Sequence, residues 1–411
     1  MHANEVLAYG RSWLALGLAA VLGCSADTSV PSDPEAFRTI DAPVGTREVE
    51  SDEALGFGDV RRFGRTAEGA SIAVGDRVAF VYDGGAWAPR LRYAEHGAEA
   101  VEPRAVAPSA TTGAYVLSPR SILALGPIYL EDAFELAGGT DLAVAAEGPL
   151  EGIWVATATG ALVIRDGKVS RYEIGLGGPI DFVAVTRSGS MGLVSSSLEG
   201  LVALQMSAGQ LSGEASPIED STVHDLDAGP YSVLAATSNG VIRRDSSGWT
   251  WFVLGPTHEL DVDPVTGVAW VRGDDELYSI DGDVVAAVKA PGTELGLATE
   301  LGPDRMSVDL AGDLFVRAPD GVVRLRTGAG PVATFDEVTS LLRAHCVRCH
   351  ANQTQDFLDY EVFVTRADEA LRRVRSGDMP RCEGGVRCKE PILSPGDWSV
   401  LERWIRGGKR P

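Results

Sequence analysis

The feature of this chain that most limits its fold is a phrase that returns at a period near forty residues. It is read at Gly152-Ile-Trp-Val-Ala-Thr-Ala-Thr-Gly160, Met191-Gly-Leu-Val-Ser-Ser-Ser-Leu-Glu-Gly200, Tyr231-Ser-Val-Leu-Ala-Ala-Thr-Ser-Asn-Gly240 and Asp313-Leu-Phe-Val-Arg-Ala-Pro-Asp-Gly321. The turns at Gly160, Gly200 and Gly240 are equally spaced, and related turns fall near Gly85, Arg120, Asp275 and Gly321. Seven units therefore fit between residues 53 and 334. Each reads as an apolar strand, a turn, a second strand, a small polar turn containing Gly, and a third strand. With 48 Gly and 22 Pro in 411 residues, the composition suits many short elements joined by turns. The expected class is mainly β, with helical content confined to one segment.

Repeats of this length, each carrying four short strands, mark a β-propeller, in which every blade packs its sheet faces on its neighbours. Seven blades are expected, with six and eight left open. The phrase resembles the propellers of the NHL and two-component-regulator type, and it lacks the repeated Trp-Asp of WD-repeat proteins. That resemblance implies a docking or ligand-binding body and no particular activity, since propellers host enzymes, lectins and scaffolds alike.

An acidic residue precedes the apolar first strand of five successive units: Asp141, Asp181, Asp225, Glu259 and Glu294. If first strands line the axis, these carboxylates occupy equivalent places and gather toward one mouth of the channel, with His224, Asp227, Asp261 and Asp263 nearby. They would then form either a site for a cation or cationic ligand or a solvated polar rim. The first two units lack the acid, and Arg104 stands where one is expected, which breaks the ring.

Arg11 is followed by an apolar run, Ser12 to Leu22, too short to span a membrane and of the length of a signal peptide. It ends in Val21-Leu22-Gly23-Cys24, which resembles a bacterial lipobox. That resemblance implies lipidation of Cys24 and a membrane anchor, the alternative being a plain secretory signal. Either places the mature protein outside the cytoplasm, where disulfides persist, and the lipoprotein reading places it in the cell envelope, periplasmic or at the outer membrane. Residues 1–24 are read as the signal, 25–52 as a flexible tether rich in Pro, Ser, Thr and Asp, 53–334 as the propeller and 335–411 as a helical domain.

Four of the five cysteines lie in that last segment. Asp336 to His345 reads as a short amphipathic helix running into Cys346-Val-Arg-Cys349-His350. Two thiols at this spacing reach the two vinyl groups of one porphyrin edge, and the following imidazole lies under the iron. One covalent c-type haem is therefore expected on Cys346 and Cys349, with His350 on the iron. A four-thiolate zinc site completed by Cys382 and Cys388 is the rival. Downstream come Gly377-Asp-Met379-Pro380 and a final helix with Ser394 as cap, Pro395 at its first position and Trp398, Leu401, Trp404 and Ile405 on one side.

The order C-x-x-C-H, Gly-x-Met-Pro, Trp-Ile-x-x-Gly resembles class I cytochromes c, notably the small all-α domains appended to secreted bacterial proteins. The resemblance implies His350 as proximal and Met379 as distal iron ligand, and a relatively high potential. Cys382 and Cys388 occupy an enlarged loop that departs from the family pattern and reads as a short disulfide.

From Phe335 onward there are 13 Lys and Arg against 12 Asp and Glu, so this segment is near +1 and the body near −23 of the net −22. This balance argues against nucleic acid and allows a weakly basic docking face near the haem, with Arg372, Arg373 and Arg375 as candidates. The expected function is monohaem electron transfer with a redox protein or small donor or acceptor as partner, and no catalytic residues are assigned. The alternatives are an oxidoreductase that passes electrons from a small substrate to its fused haem, and a surface interaction or sensor protein.

Overall fold

Each return of the forty-residue phrase folds into one antiparallel sheet. In the third unit the strands are Gly139–Ala145, Gly152–Thr157, Gly160–Arg165 and Lys168–Tyr172, paired in that order. Its second strand is almost wholly buried, which is why it reads as a near-continuous apolar run instead of alternating. The turn after it depends on glycine: Gly160 has φ +130°, and Thr157 Oγ1 donates to the Gly160 carbonyl at 2.6 Å. The same device recurs in the fifth unit, where Gly240 has φ +126° and any Cβ would stand 2.1 Å from the Phe252 carbonyl oxygen.

In this computed structural model the described residues are 37–41, 45–51 and 60–346, apart from 290–305 and short loops, then 357–370, 373 and 400–405, apart from 368 and 402. They form seven sheets closed into a ring: blades 1 to 7 cover 60–92, 105–135, 139–172, 180–215, 223–253, 257–289 and, for three strands of the last, 306–326. Seven apolar clusters account for the closure, one in each gap between neighbours. Trp154 of blade 3 meets Ile180 and Val183 of blade 4, Trp270 of blade 6 meets Leu314 and Val316 of blade 7, and Tyr82 and Trp87 of blade 1 meet Phe315 of blade 7. Burying one such large side chain contributes roughly 1.5–3 kcal/mol, so a blade is stable only with both neighbours present.

The stretch read as a tether departs from expectation. Three strands lie in it: β1 (Phe37–Asp41), β2 (Gly45–Glu48) and β3 (Glu50–Ser51). β1 and β2 add parallel outer strands to blades 5 and 6, and β3 supplies the fourth strand of blade 7 by pairing antiparallel to Gly321–Arg326. The ring is thus locked by joining the first strands of the chain to the last. These are edge strands with one paired side, and only Phe37, Ile40 and Val49 go to apolar clusters, so they carry little periodic signal.

After the ring, helix α1 (Phe335–His345) buries Phe335, Val338, Leu341 and Leu342, as its amphipathic pattern requires. Its start is held by Glu337, whose carboxylate accepts from the Thr334 N–H at 2.7 Å. Helix α2 (Tyr360–Val364) is capped by Asp359 and buries Phe363. Leu401 and Trp404, helical as expected, pack into the same cluster, with the Trp404 and Phe363 rings stacked at 5.5 Å.

Candidate functional site

The seven first strands line an axial cavity of about 350 Å³. In five of them a β-bulge interrupts the pairing at the same place, after Val60, Gly139, Ile180, Val223 and Thr257. The bulge inserts one residue and re-aims the side chain after it. The bulged residues are Arg61, Thr140, Asp181, His224 and His258, and the next are Arg62, Asp141, Phe182, Asp225 and Glu259. Asp141, Asp225 and Glu259 are equivalent, as expected. Asp181 is one place out of step: it sits in the bulge, and Phe182 holds the acid's position.

The acids tie inner strands together. Asp141 accepts the Val183 N–H at 2.9 Å, Asp225 the Leu260 N–H at 2.9 Å and Asp227 the Val262 N–H at 2.7 Å, while Asp261 accepts the Val308 N–H. Each bond runs from a carboxylate on one blade to the backbone of the next, so these residues are neither a solvated rim nor a simple ring of ligands. Glu259 turns away from the cavity and forms a buried pair with Arg272 at 3.5 Å. Asp263 caps the following turn by accepting from the Val265 and Thr266 N–H groups at 2.7 and 3.0 Å. His224 and His258 stack at 5.2 Å beside the bulges. His224 Nδ1 lies 2.7 Å from the Thr257 carbonyl oxygen, and His258 Nε2 lies 2.5 Å from Asp274.

Arg65 is a cavity residue that the sequence reading missed. It reaches from blade 1 across the axis to Asp261 at 3.3 Å, Asp227 at 3.5 Å and the Val262 carbonyl at 2.8 Å. Burial works against its charge, but Asp261, Asp227 and Asp263 outweigh that and hold its pKa above the ordinary value. A signal was present: Arg65 stands where blades 3 to 6 have Val144, Val185, Ala228 and Val262, one cation in an apolar column.

Two carboxyl groups of the cavity, Asp141 and Asp261, have raised pKa values. Burial pushes Asp141 up to about 7, against backbone hydrogen bonds from Val183 and Leu142, with Asp227 raising it further and Arg62 opposing. Asp261 is raised well above the carboxylate range by burial, and its neighbour Asp227 adds to this while Arg65 opposes. At the mouth Arg187 of blade 4 donates across the channel to the Ala67 carbonyl of blade 1 at 3.2 Å.

Of the haem residues, Cys346 is described. It ends α1 half-buried, with its N–H bonded to the Leu342 carbonyl and its side chain against the cluster of Phe335, Phe363, Leu401 and Trp404. The first cysteine thus lies beside a packed cluster of helical aromatics. Cys349, His350, Met379, Cys382, Cys388, Glu294 and the lipobox Cys24 lie outside the described residues. Arg403, in the last helical stretch, is within electrostatic reach of Asp263 and Asp309 as well as Glu337. They oppose the lowering of its pKa by burial. Asp263 and Asp309 come directly after the inner strands of blades 6 and 7, so this stretch lies toward the end of the ring where Thr66, Ala67 and Arg187 frame the cavity mouth.

The fold and channel define a class, the mainly β seven-bladed propeller. No family model matches the chain, and no curated protein does. Among solved structures it is similar to an extracellular domain of BT4673 from B. thetaiotaomicron, described as a one-component system, with a TM-score of 0.51 and 14% identity over 70% of this chain and 41% of that one. A second structure, described as the extracellular domain of the hybrid two-component system BT4673 from the same organism, gives a TM-score of 0.50 and 15% identity over 68% and 39%. At such identities the likeness concerns the fold alone, and this chain spans about two fifths of those chains.

Proposed function

We propose that this chain is an exported, envelope-bound recognition protein: the propeller is the recognition body, and the C-terminal segment carries one covalent c-type haem as its redox or sensory group. The observation that carries the first half is the axial cavity, to which all seven blades contribute and which four aspartates line together with Arg65 and Arg187. The two similar propellers, described as extracellular parts of one-component and hybrid two-component systems, agree with a recognition role outside the cytoplasm. The signal and lipobox at Cys24 supply export and anchoring.

The second half rests on Cys346-x-x-Cys349-His350 and on the apolar wall against which Cys346 is held. Cys346 and Cys349 would fix the group, and His350 and Met379 would stand on the iron. A bound c-type haem supplies a one-electron iron couple and, where the sixth position opens, a place for a small ligand. Phe335, Phe363, Leu401 and Trp404 would exclude water from its face, and a disulfide between Cys382 and Cys388 would stiffen the Met379 loop. The Arg403 charge toward Asp263 and Asp309 gives the haem segment a reason to sit over the cavity mouth.

A second reading, a plain electron carrier, is favoured by Gly377-Asp-Met379-Pro380. Reduced full-length protein exposed to carbon monoxide separates the two. A sensory haem gives up Met379 to the gas and shifts its spectrum, whereas the haem of a plain carrier keeps Met379, cycles reversibly and takes up the gas only after Met379→Ala. Reduced protein without any haem spectrum contradicts both.

A further inference from the structure

Arg65 serves two carboxyl groups with one positive charge. Its guanidinium lies 3.3 Å from Asp261 and 3.5 Å from Asp227, and all three side chains are largely withdrawn from solvent. Asp227 and Asp261 are also hydrogen-bonded to each other. Two ionised carboxylates offer only acceptors, so a bond between them requires a proton on one. With both ionised the cluster would carry an unbalanced negative charge where burial makes that costly, whereas with one proton it is neutral. The proton belongs on Asp261, the less exposed of the two at 15% against 26%.

The cluster stands where the ring closes. Blade 7 has the shortest inner strand described, Met306–Val308, and takes its fourth strand from β3. Asp261 of blade 6 accepts the Val308 N–H, and Arg65 of blade 1 donates to the Val308 carbonyl at 3.4 Å. Asp227 of blade 5 accepts the Val262 N–H of blade 6 at 2.7 Å. We propose that Asp227 and Asp261 share one proton beside Arg65, and that this proton is a pH-sensitive latch on blade 7, the blade that closes the ring. When the proton is lost, the two carboxylates repel and Asp261 turns toward solvent. The Val308 N–H is then released, and the inner strand of blade 7 loses that tie to blade 6.

The surrounding charges favour the protonated form. Asp263, farther along blade 6, acts on Arg65, and Asp141 of blade 3 faces Asp227. Asp225 lines the same cavity two residues before Asp227, and Asp309 follows Val308 on blade 7. Against these stand Arg65 and, beside Asp141, Arg62, while Arg187 at the mouth is bonded to the Ala67 carbonyl. Burial raises Asp261 well above the carboxylate range, and Asp227 adds to this. The unfolded chain gives up the same proton in the ordinary carboxylate range. The stability that the latch contributes is therefore complete below that range and is lost as pH rises through the folded value.

The test is hydrogen exchange of full-length protein, read by mass spectrometry on peptides that contain Met306–Val308, together with denaturant unfolding, at pH 5 and pH 9. Every sample carries Asp141→Asn, which silences the other raised carboxyl group of the cavity. Asp261→Asn reproduces the protonated acid, since its amide N–H donates to Asp227 and its oxygen accepts from Val308. The expected result, corrected for intrinsic exchange, is that protection of Met306–Val308 falls at least about tenfold from pH 5 to pH 9 with Asp261 present and stays level in Asp261→Asn. The unfolding constant should likewise rise with pH at least about tenfold more when Asp261 is present. Asp227→Asn, which leaves Asp261 as the single carboxylate of the pair, should lose the pH dependence as well. Level protection with Asp261 present, or an equal fall in either Asn variant, would overturn the inference. Failure of both variants to fold would count against it too, because each keeps the bonds of the shared-proton state. The latch belongs to the ring and stands or falls without the haem.

Discussion

Substitutions at Asp141 and at Arg65 should depend on pH in opposite senses. The folded pKa of Asp141 is raised to about 7 from an ordinary value of 3.8. The unfolded chain loses this proton near pH 4 and the folded one near pH 7, so the contribution of Asp141 to stability declines between those values and is flat above them. Asp141→Asn escapes that decline while keeping the tie to Val183. Denaturant unfolding should find the variant equal to the parent at pH 4 and more stable at pH 8, by on the order of 1–2 kcal/mol for a half-buried group. A parent that gains stability over this range would contradict the environment described for Asp141. Arg65→Met does the reverse, because it leaves Asp227 and Asp261 facing each other without a cation. It should cost roughly 3 kcal/mol at pH 8 and clearly less at lower pH, where Asp261, raised by burial, takes up its proton. Single residues were where the sequence was read least well. The acids were found, but their alignment failed at Asp181, because a bulge adds one residue that no period-two pattern reveals. Arg65 was passed over because its partners, Asp227 and Asp261, are more than 160 positions away.

At the scale of elements, the sequence spoke clearly wherever a strand is buried on both faces. Gly152–Thr157 and Ser232–Thr237 are continuous apolar runs because neighbouring blades cover them, and the glycines after them mark the turns. The outer strands were less legible. β1 to β3 bury little and read as a tether, yet β3 completes blade 7. Deleting residues 37–51 removes that strand together with the outer strands of blades 5 and 6. The ring then loses its lock, and the melting temperature should fall by at least about 8 °C with a broader transition. An unchanged melting curve would show that the closure seen here carries no stability. The helical elements were legible for the opposite reason: α1 has a 3.6-residue pattern with acid at its start and base at its end, and the final stretch places Leu401 and Trp404 on the face that meets it.

For the whole molecule, the blade count and fold class came from the repeat because each interface between blades uses the same kind of residue at the same spacing, and seven such interfaces are observed. Function was legible only as chemistry. The haem motif is local in sequence, whereas the cavity is assembled from strands spread over some 250 residues and could not be read before they were brought together. The two halves carry different charge, an acidic ring and a near-neutral tail, so their association should weaken with salt if Arg403 is drawn toward Asp263 and Asp309. The measurement that reaches the central claim most directly is the pyridine haemochrome spectrum and intact mass of the full-length protein, matured in a host that attaches c-type haem, beside Cys346→Ala and Cys349→Ala. One covalent haem per chain, with attachment impaired in each variant, is the predicted result. Protein with no covalent haem and with zinc bound through its cysteines would contradict it.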